Sequence, residues 1–114
     1  MKYIVYQTTN LINNKIYIGV HKTIDPNVFD SYYGCGLSAH NGYYYMRNPY
    51  TPFHYAAAKY GLKNFKRTTL AIFDTSKEAL ELEAKLVNID FIKREDTYNV
   101  ALGGNYGNYL FPVN

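Results

Sequence analysis

The sequence contains no tryptophan and a single cysteine, Cys35. One thiol cannot form an internal disulfide, which fits a reducing compartment, and the lack of a CxxC pair or a His/Cys cluster argues against structural zinc. No stretch approaches the ~20 apolar residues needed to span a bilayer. The N-terminus opens on strand-forming residues, not on a basic leader followed by an apolar run. These absences lead to the expectation of a soluble, cytoplasmic protein with no membrane partner. Neither sign of charge dominates: the net charge of +3 and pI near 8.9 permit a polyanionic partner without establishing one. A chain of 114 residues can bury one core without staples and has no room for a second full domain.

What is abundant is tyrosine, 14 residues beside six phenylalanines. A flat apolar ring with a hydroxyl suits half-buried surfaces, ligand faces and stacking on bases, although AT-rich coding would favour the same residues. The surplus is richest in meaning over residues 3–22, where two runs of β-branched and aromatic residues flank Asn10, Asn13 and Asn14 and predict a hairpin. In its second strand Ile16, Ile18 and Val20 fall on one face, with Lys15, Tyr17, Gly19 and His21 on the other. A register pairing Tyr6 with Tyr17 would set their Cβ atoms about 5 Å apart on that second face. Gly19 would leave the backbone open to a ligand. Two tyrosines, a histidine and a glycine then read as a wet, ligand-ready surface, against the commoner alternative of half-buried packing.

Residues 25–52 follow, rich in glycine and proline and without sustained period. Loops are expected there, with one brief helix near Leu37 to His40. Tyr43-Tyr44-Tyr45-Met46-Arg47 interleaves aromatics with a cation, as a flap lying along nucleic acid would, or as a cover for the core edge. Thr51-Pro52 opens a helix that Gly61 closes. Asn64 to Asp74 returns to strand composition and carries Arg67, either a solvated cation or a phosphate contact. Thr75 and Glu78 have capping-box spacing and begin a helix expected to run to about Lys93, with Ala79, Leu82, Leu86, Val87 and Ile89 on its apolar side. Glu83 is the misfit at the edge of that stripe, where a carboxylate must meet a cation, donors or water, or snorkel outward. The fold class is α+β, a small three-stranded antiparallel sheet flanked by helices.

Ile4-Val5-Tyr6 and Tyr17-Ile18-Gly19, with Glu83-Ala84-Lys85-Leu86-Val87 and Tyr98-Asn99 in the same order, resemble the GIY-YIG endonuclease superfamily. Phage and intron homing endonucleases are the nearest in pattern. The likeness spans residues 3–104 and implies a nuclease-like domain over 1–104, with about 25–52 as an insertion and 105–114 as a tail. It implies a metal-dependent hydrolase of DNA phosphodiesters. Glu83 would hold Mg²⁺ or Mn²⁺, and Tyr6, Tyr17, His21 and Asn99 would complete the catalytic set. On this view positive neighbours would lower a tyrosine's pKa so that it serves as base or relay. Asn99 would orient a tyrosine, the glutamate or the DNA backbone.

Typical members carry an arginine soon after the second tripeptide, where this chain has Asp25-Pro26-Asn27-Val28-Phe29-Asp30. His21 is the favoured replacement, with Lys22 and Arg67 in reserve. Lys22, Arg67, Arg47 and Tyr45 are the expected DNA contacts, and Gly19 is expected to be structural as well. Homing relatives append a separate DNA-binding segment, and none follows Gly104 in this sequence, which leaves three alternatives open: a minimal nuclease, specificity drawn from its own Tyr-rich loop, or a separate specificity partner; the oligomeric state is left open. Two rival readings are a non-catalytic nucleic-acid-binding module on the same scaffold and a protein-binding domain built on the Tyr-rich loop.

Overall fold

The computed structural model describes residues 1–40 and 43–104, so the tail expected over 105–114 lies outside the described residues. Its first two strands, β1 (Lys2–Asn10) and β2 (Ile16–Thr23), form the expected hairpin. The register differs. Tyr6 pairs with Gly19 and Thr8 with Tyr17, two residues from the expected Tyr6–Tyr17 pairing. The turn explains the difference: the expected register needs a two-residue turn at Leu11-Ile12, and such turns demand positive φ that bulky residues resist. The chain instead places Asn14 at φ 63° and closes with the Asn10 amide donating to the Lys15 carbonyl at 2.9 Å. A two-residue shift keeps every side chain on its face, so Tyr6 and Tyr17 remain neighbours, with ring centroids 6.3 Å apart.

A further strand, β5 (Phe65–Phe73), pairs antiparallel with the other edge of β1, giving the order β2-β1-β5. One face of this sheet packs on the helix α3 (Ser76–Leu86), with Val5, Ile18, Ala79, Val87 and Phe91 buried between them. Thr75 caps α3 as its spacing predicts, its hydroxyl accepting from the Glu78 amide, and the same hydroxyl donates to the Glu78 carboxylate. The single helix expected to reach Lys93 is broken at Val87 and restarts as α4 (Ile89–Ile92). Asn88 causes the restart, because its side chain accepts from the Phe91 amide and so acts as a new N-cap inside the apolar pattern. Ile89 is consequently exposed and leaves the stripe.

The opposite face is not the wet surface its polar residues predict. It is a second core of Tyr33, Leu37, Phe53, Ala56, Ala57, Phe65 and Tyr98, against which Tyr17 packs. The cover is the segment without period: β3 (Tyr32–Gly34) and β4 (Leu37–Ser38) make a small hairpin, followed by α1 (Tyr43–Arg47) and α2 (Pro52–Tyr60). The brief helix expected near Leu37 to His40 thus falls at 43–47 instead. Positive φ at Gly34, Cys35 and Gly36 turns the chain there into a hairpin. α2 matches its signals, with the Thr51 side chain accepting from the His54 amide and Gly61 at φ 80° past the end. No helix among the described residues is long and apolar enough to cross a membrane.

Candidate active site

Beyond α4 the chain returns along the outer edge of β2. The Ile16 amide donates to the Asp96 carbonyl, and the Tyr98 amide to the Ile16 carbonyl. Asn99 extends this pairing with its side chain: Oδ1 accepts from the Ile18 amide at 2.9 Å and Nδ2 donates to the Ile18 carbonyl at 2.8 Å. Both ends of the buried amide are therefore engaged with the strand. Asn99 fixes the backbone between Tyr17 and Gly19, its amide bonded to the Ile18 backbone where a tyrosine or the glutamate was expected.

The returning segment then crosses α3. A Cβ on Gly103 would lie 2.3 Å from the Glu83 carbonyl oxygen, so only glycine permits this approach. The Gly104 amide donates to Glu83 Oε1 at 2.9 Å. Between α3, the returning segment and the tyrosines of the hairpin lies a cavity of about 250 Å³, lined by Tyr6, Tyr17, Tyr32, Cys35, Thr51, Glu83 and Asn99 among others. Glu83 and the two hairpin tyrosines, though distant in sequence, thus share one hollow.

Burial sets the electrostatics. It pushes the Glu83 carboxyl above the ordinary carboxylate range, against the smaller opposing effect of the Gly104 amide. Burial also pushes the Tyr6 and Tyr17 phenols well above their ordinary value; the neighbouring Tyr17, Tyr32, Cys35 and Glu83 add to it at Tyr6, and Cys35, Tyr32 and Glu83 at Tyr17. The described surroundings therefore hold both as neutral phenols, opposite to the lowering that cationic neighbours would bring. Burial likewise raises the Cys35 thiol, which hydrogen-bonds with Tyr17 and Thr51.

Gly19 serves the phenol and not a ligand: a Cβ there would stand 2.6 Å from Tyr6 Oη. His21 does not line the cavity. Its Nε2 lies 2.6 Å from Asp30 Oδ2, its ring stacks on Tyr32 at 4.4 Å, and it borders a second hollow with Lys22. Arg67 has a buried side chain, and its Nη1 donates to Asp30 Oδ1 at 2.8 Å and to the Tyr32 carbonyl at 2.9 Å. Its guanidinium lies 5.8 Å from the Tyr6 ring centroid. Asp30 thus bridges His21 and Arg67, two of the three side chains expected to stand in for the arginine of the GIY-YIG superfamily, and the loop that carries it forms no helix.

Lys22 is exposed, its Nζ 5.9 Å from the centre of the Tyr3 ring, and Arg47 is exposed at the end of α1. Tyr45 packs inward, stacked on His54 at 4.7 Å, and so is not available as a base-stacking platform. Tyr32, Cys35 and Thr51 line the cavity without any motif that marks them for it. The Gly-Cys-Gly turn at 34–36 is the one sequence signal for a close approach there. Among the described residues no three His, Cys, Asp or Glu side chains form a group able to hold a metal ion.

Comparison with known proteins gives phage relatives. The chain is 44% identical over 104 residues to "Putative endonuclease segD" of Enterobacteria phage T4, covering 91% of this chain and 40% of that protein. It is 40% identical over 107 residues to "Putative endonuclease segB" of the same phage, covering 94% and 41%. "Endonuclease segA", also from T4, is 39% identical over 102 residues, with 90% and 39% covered. No family model and no solved structure matches the chain. The chain is a homologue of these T4 proteins and spans about two-fifths of their length.

Proposed function

We propose that the chain is the nuclease unit of a GIY-YIG-type DNA endonuclease, dependent on Mg²⁺ or Mn²⁺ and acting in the cytoplasm of a phage-infected bacterium. The observation that carries this reading is the single cavity lined by the Glu83 carboxylate and the Tyr6 and Tyr17 phenols. The names of the T4 relatives support it.

The donor set fits a hard cation. Mg²⁺ keeps several of its waters and commonly takes only one or two carboxylates, so Glu83 suffices as its protein ligand in a cavity that tyrosine and threonine hydroxyls also line. Bound there, it would supply Lewis-acid stabilisation of the phosphoryl oxygens. The chain's own residues do the rest. Glu83, steadied by the Gly104 amide, presents the charge. The phenols of Tyr6 and Tyr17, kept protonated by burial, donate hydrogen bonds to a phosphoryl oxygen or orient a water. Asn99 acts only through β2, as a positioning residue. Lys22 and Arg47, both exposed, contribute phosphate contacts outside the cavity.

A second reading, a DNA-binding module without catalysis, is favoured by one observation: among the described residues no Lys, Arg or His lines the cavity, Arg67 and His21 both being engaged by Asp30. Supercoiled plasmid separates the two. Nicking with Mg²⁺ that EDTA abolishes, and that a folded Tyr17→Phe variant loses, supports the nuclease. DNA binding with intact plasmid under every divalent metal supports the module.

A further inference from the structure

Acidic residues are segregated along this chain, while lysine and arginine are spread over it. All nine acidic residues lie outside residues 31–73, whereas Arg47, Lys59, Lys63, Lys66 and Arg67 lie within. In the fold the acid-free stretch becomes β3, β4, α1, α2 and β5, whereas over α3, α4 and the residues after them Glu78, Glu81, Asp90, Glu95 and Asp96 are interleaved with Lys77, Lys85, Lys93 and Arg94. Arg67 is occupied by Asp30, but Arg47, Lys59, Lys63 and Lys66 are all exposed. Interleaved with them, Tyr43, Tyr44 and Tyr55 expose between 57% and 65% of their surface.

These side chains belong to one lobe. α1 packs on α2, and α2 continues through the 3-10 turn Leu62–Asn64 into β5. Rings lock the two helices together, since Tyr45 stacks on His54 while Tyr50 meets both edge-on at 5.8 and 4.6 Å. His54 is fixed in turn, its Nε2 donating to the Cys35 carbonyl at 2.7 Å. Cys35 and Thr51, at the lobe's inner margin, line the cavity.

We infer that the α1–α2 lobe docks the phosphate backbone of duplex DNA and leads it to the cavity, an inference that rests on DNA being the substrate. Lysine and arginine supply point charges there and the exposed tyrosine hydroxyls supply neutral donors, the two kinds of group that phosphate contacts use. Acidic side chains, which would repel the backbone, are missing from the whole stretch. With only a five-residue α1 and the flank of α2 presented, the surface has no reading helix to enter a groove, so the contact is indifferent to sequence.

The test is fluorescence anisotropy of a short labelled duplex with the 114-residue chain in EDTA, read across a salt series. Arg47→Ala/Lys59→Ala/Lys63→Ala is expected to flatten the slope of log K against log salt by about 2.7, roughly 0.9 for each phosphate no longer neutralised, and to weaken binding about tenfold or more. Lys77→Ala/Lys85→Ala/Lys93→Ala removes equal charge from the α3–α4 side and is expected to leave the slope in place. Equal slopes for the two triple variants would overturn the inference. So would tighter binding of a labelled single strand that depends on Tyr44 and Tyr55 and not on the lobe's charges, which would mean stacking on unpaired bases. The parent reading is checked apart from this: wild-type plasmid nicking with equal slopes sinks the lobe alone, and a flattened slope without any wild-type nicking sinks the nuclease alone.

Discussion

Glu83 stands where a fold optimised for stability alone would not put it. Burial holds its carboxyl above the ordinary carboxylate range, so the folded chain binds its proton more tightly than the unfolded chain does. The sign follows: as pH rises from the unfolded value of about 4.3 through the folded one, stability falls, and the ionised carboxylate at neutral pH works against folding. Glu83→Gln retains an acceptor for the Gly104 amide without the charge. A higher thermal midpoint at pH 7 than wild type, with the gap closing in acid, is the expected result; a lower midpoint at pH 7 contradicts it. Gly19 makes the reverse case, a residue that packing requires to be small. Gly19→Ala places a methyl 2.6 Å from Tyr6 Oη, and we expect a loss of about 1–3 kcal/mol in urea unfolding as the phenol is displaced.

At the scale of elements, β2 is held from outside by the segment at Thr97 to Asn99. Asn99→Ala strips two hydrogen bonds from the Ile18 backbone and leaves a buried amide without its acceptor. It should cost roughly 1–3 kcal/mol in denaturant titration, and faster exchange at the Ile18 amide should accompany it. Elements whose ends are written in local chemistry were legible: Thr51-Pro52 and Gly61 bound α2, and Thr75 with Glu78 opens α3. The hairpin's faces were legible too, because period-2 alternation survives a two-residue error in register. The register itself was not, since it turns on which of three asparagines adopts positive φ. Nor was the break at Val87, because Asn88 sits inside an otherwise continuous apolar pattern. The covered face was legible only as one of two alternatives: Tyr43 to Arg47 read either as a flap along nucleic acid or as a cover for the core edge, and with no period over residues 25–52 nothing local decided for the second core.

The cavity is a property of the whole molecule. Tyr6 and Tyr17 come from the first hairpin, Tyr32 and Cys35 from the covering segment, and Glu83 from α3; Gly103 closes the hollow only by pressing against the Glu83 backbone. That Glu83 and the tyrosines meet was expected from the order of motifs. That Asp30 would tie up both Arg67 and His21 was not, because the pairing joins residues 37 and nine positions apart with no motif linking them. The central claim, that this hollow is a metal-dependent phosphodiesterase site seated on Glu83, is tested most directly by the rate of plasmid nicking against Mg²⁺ concentration for wild type and Glu83→Gln. The account predicts a saturable, EDTA-sensitive rate for wild type and a loss of about a hundredfold or more in the folded variant. A variant that nicks at the wild-type rate over the same Mg²⁺ range would contradict it.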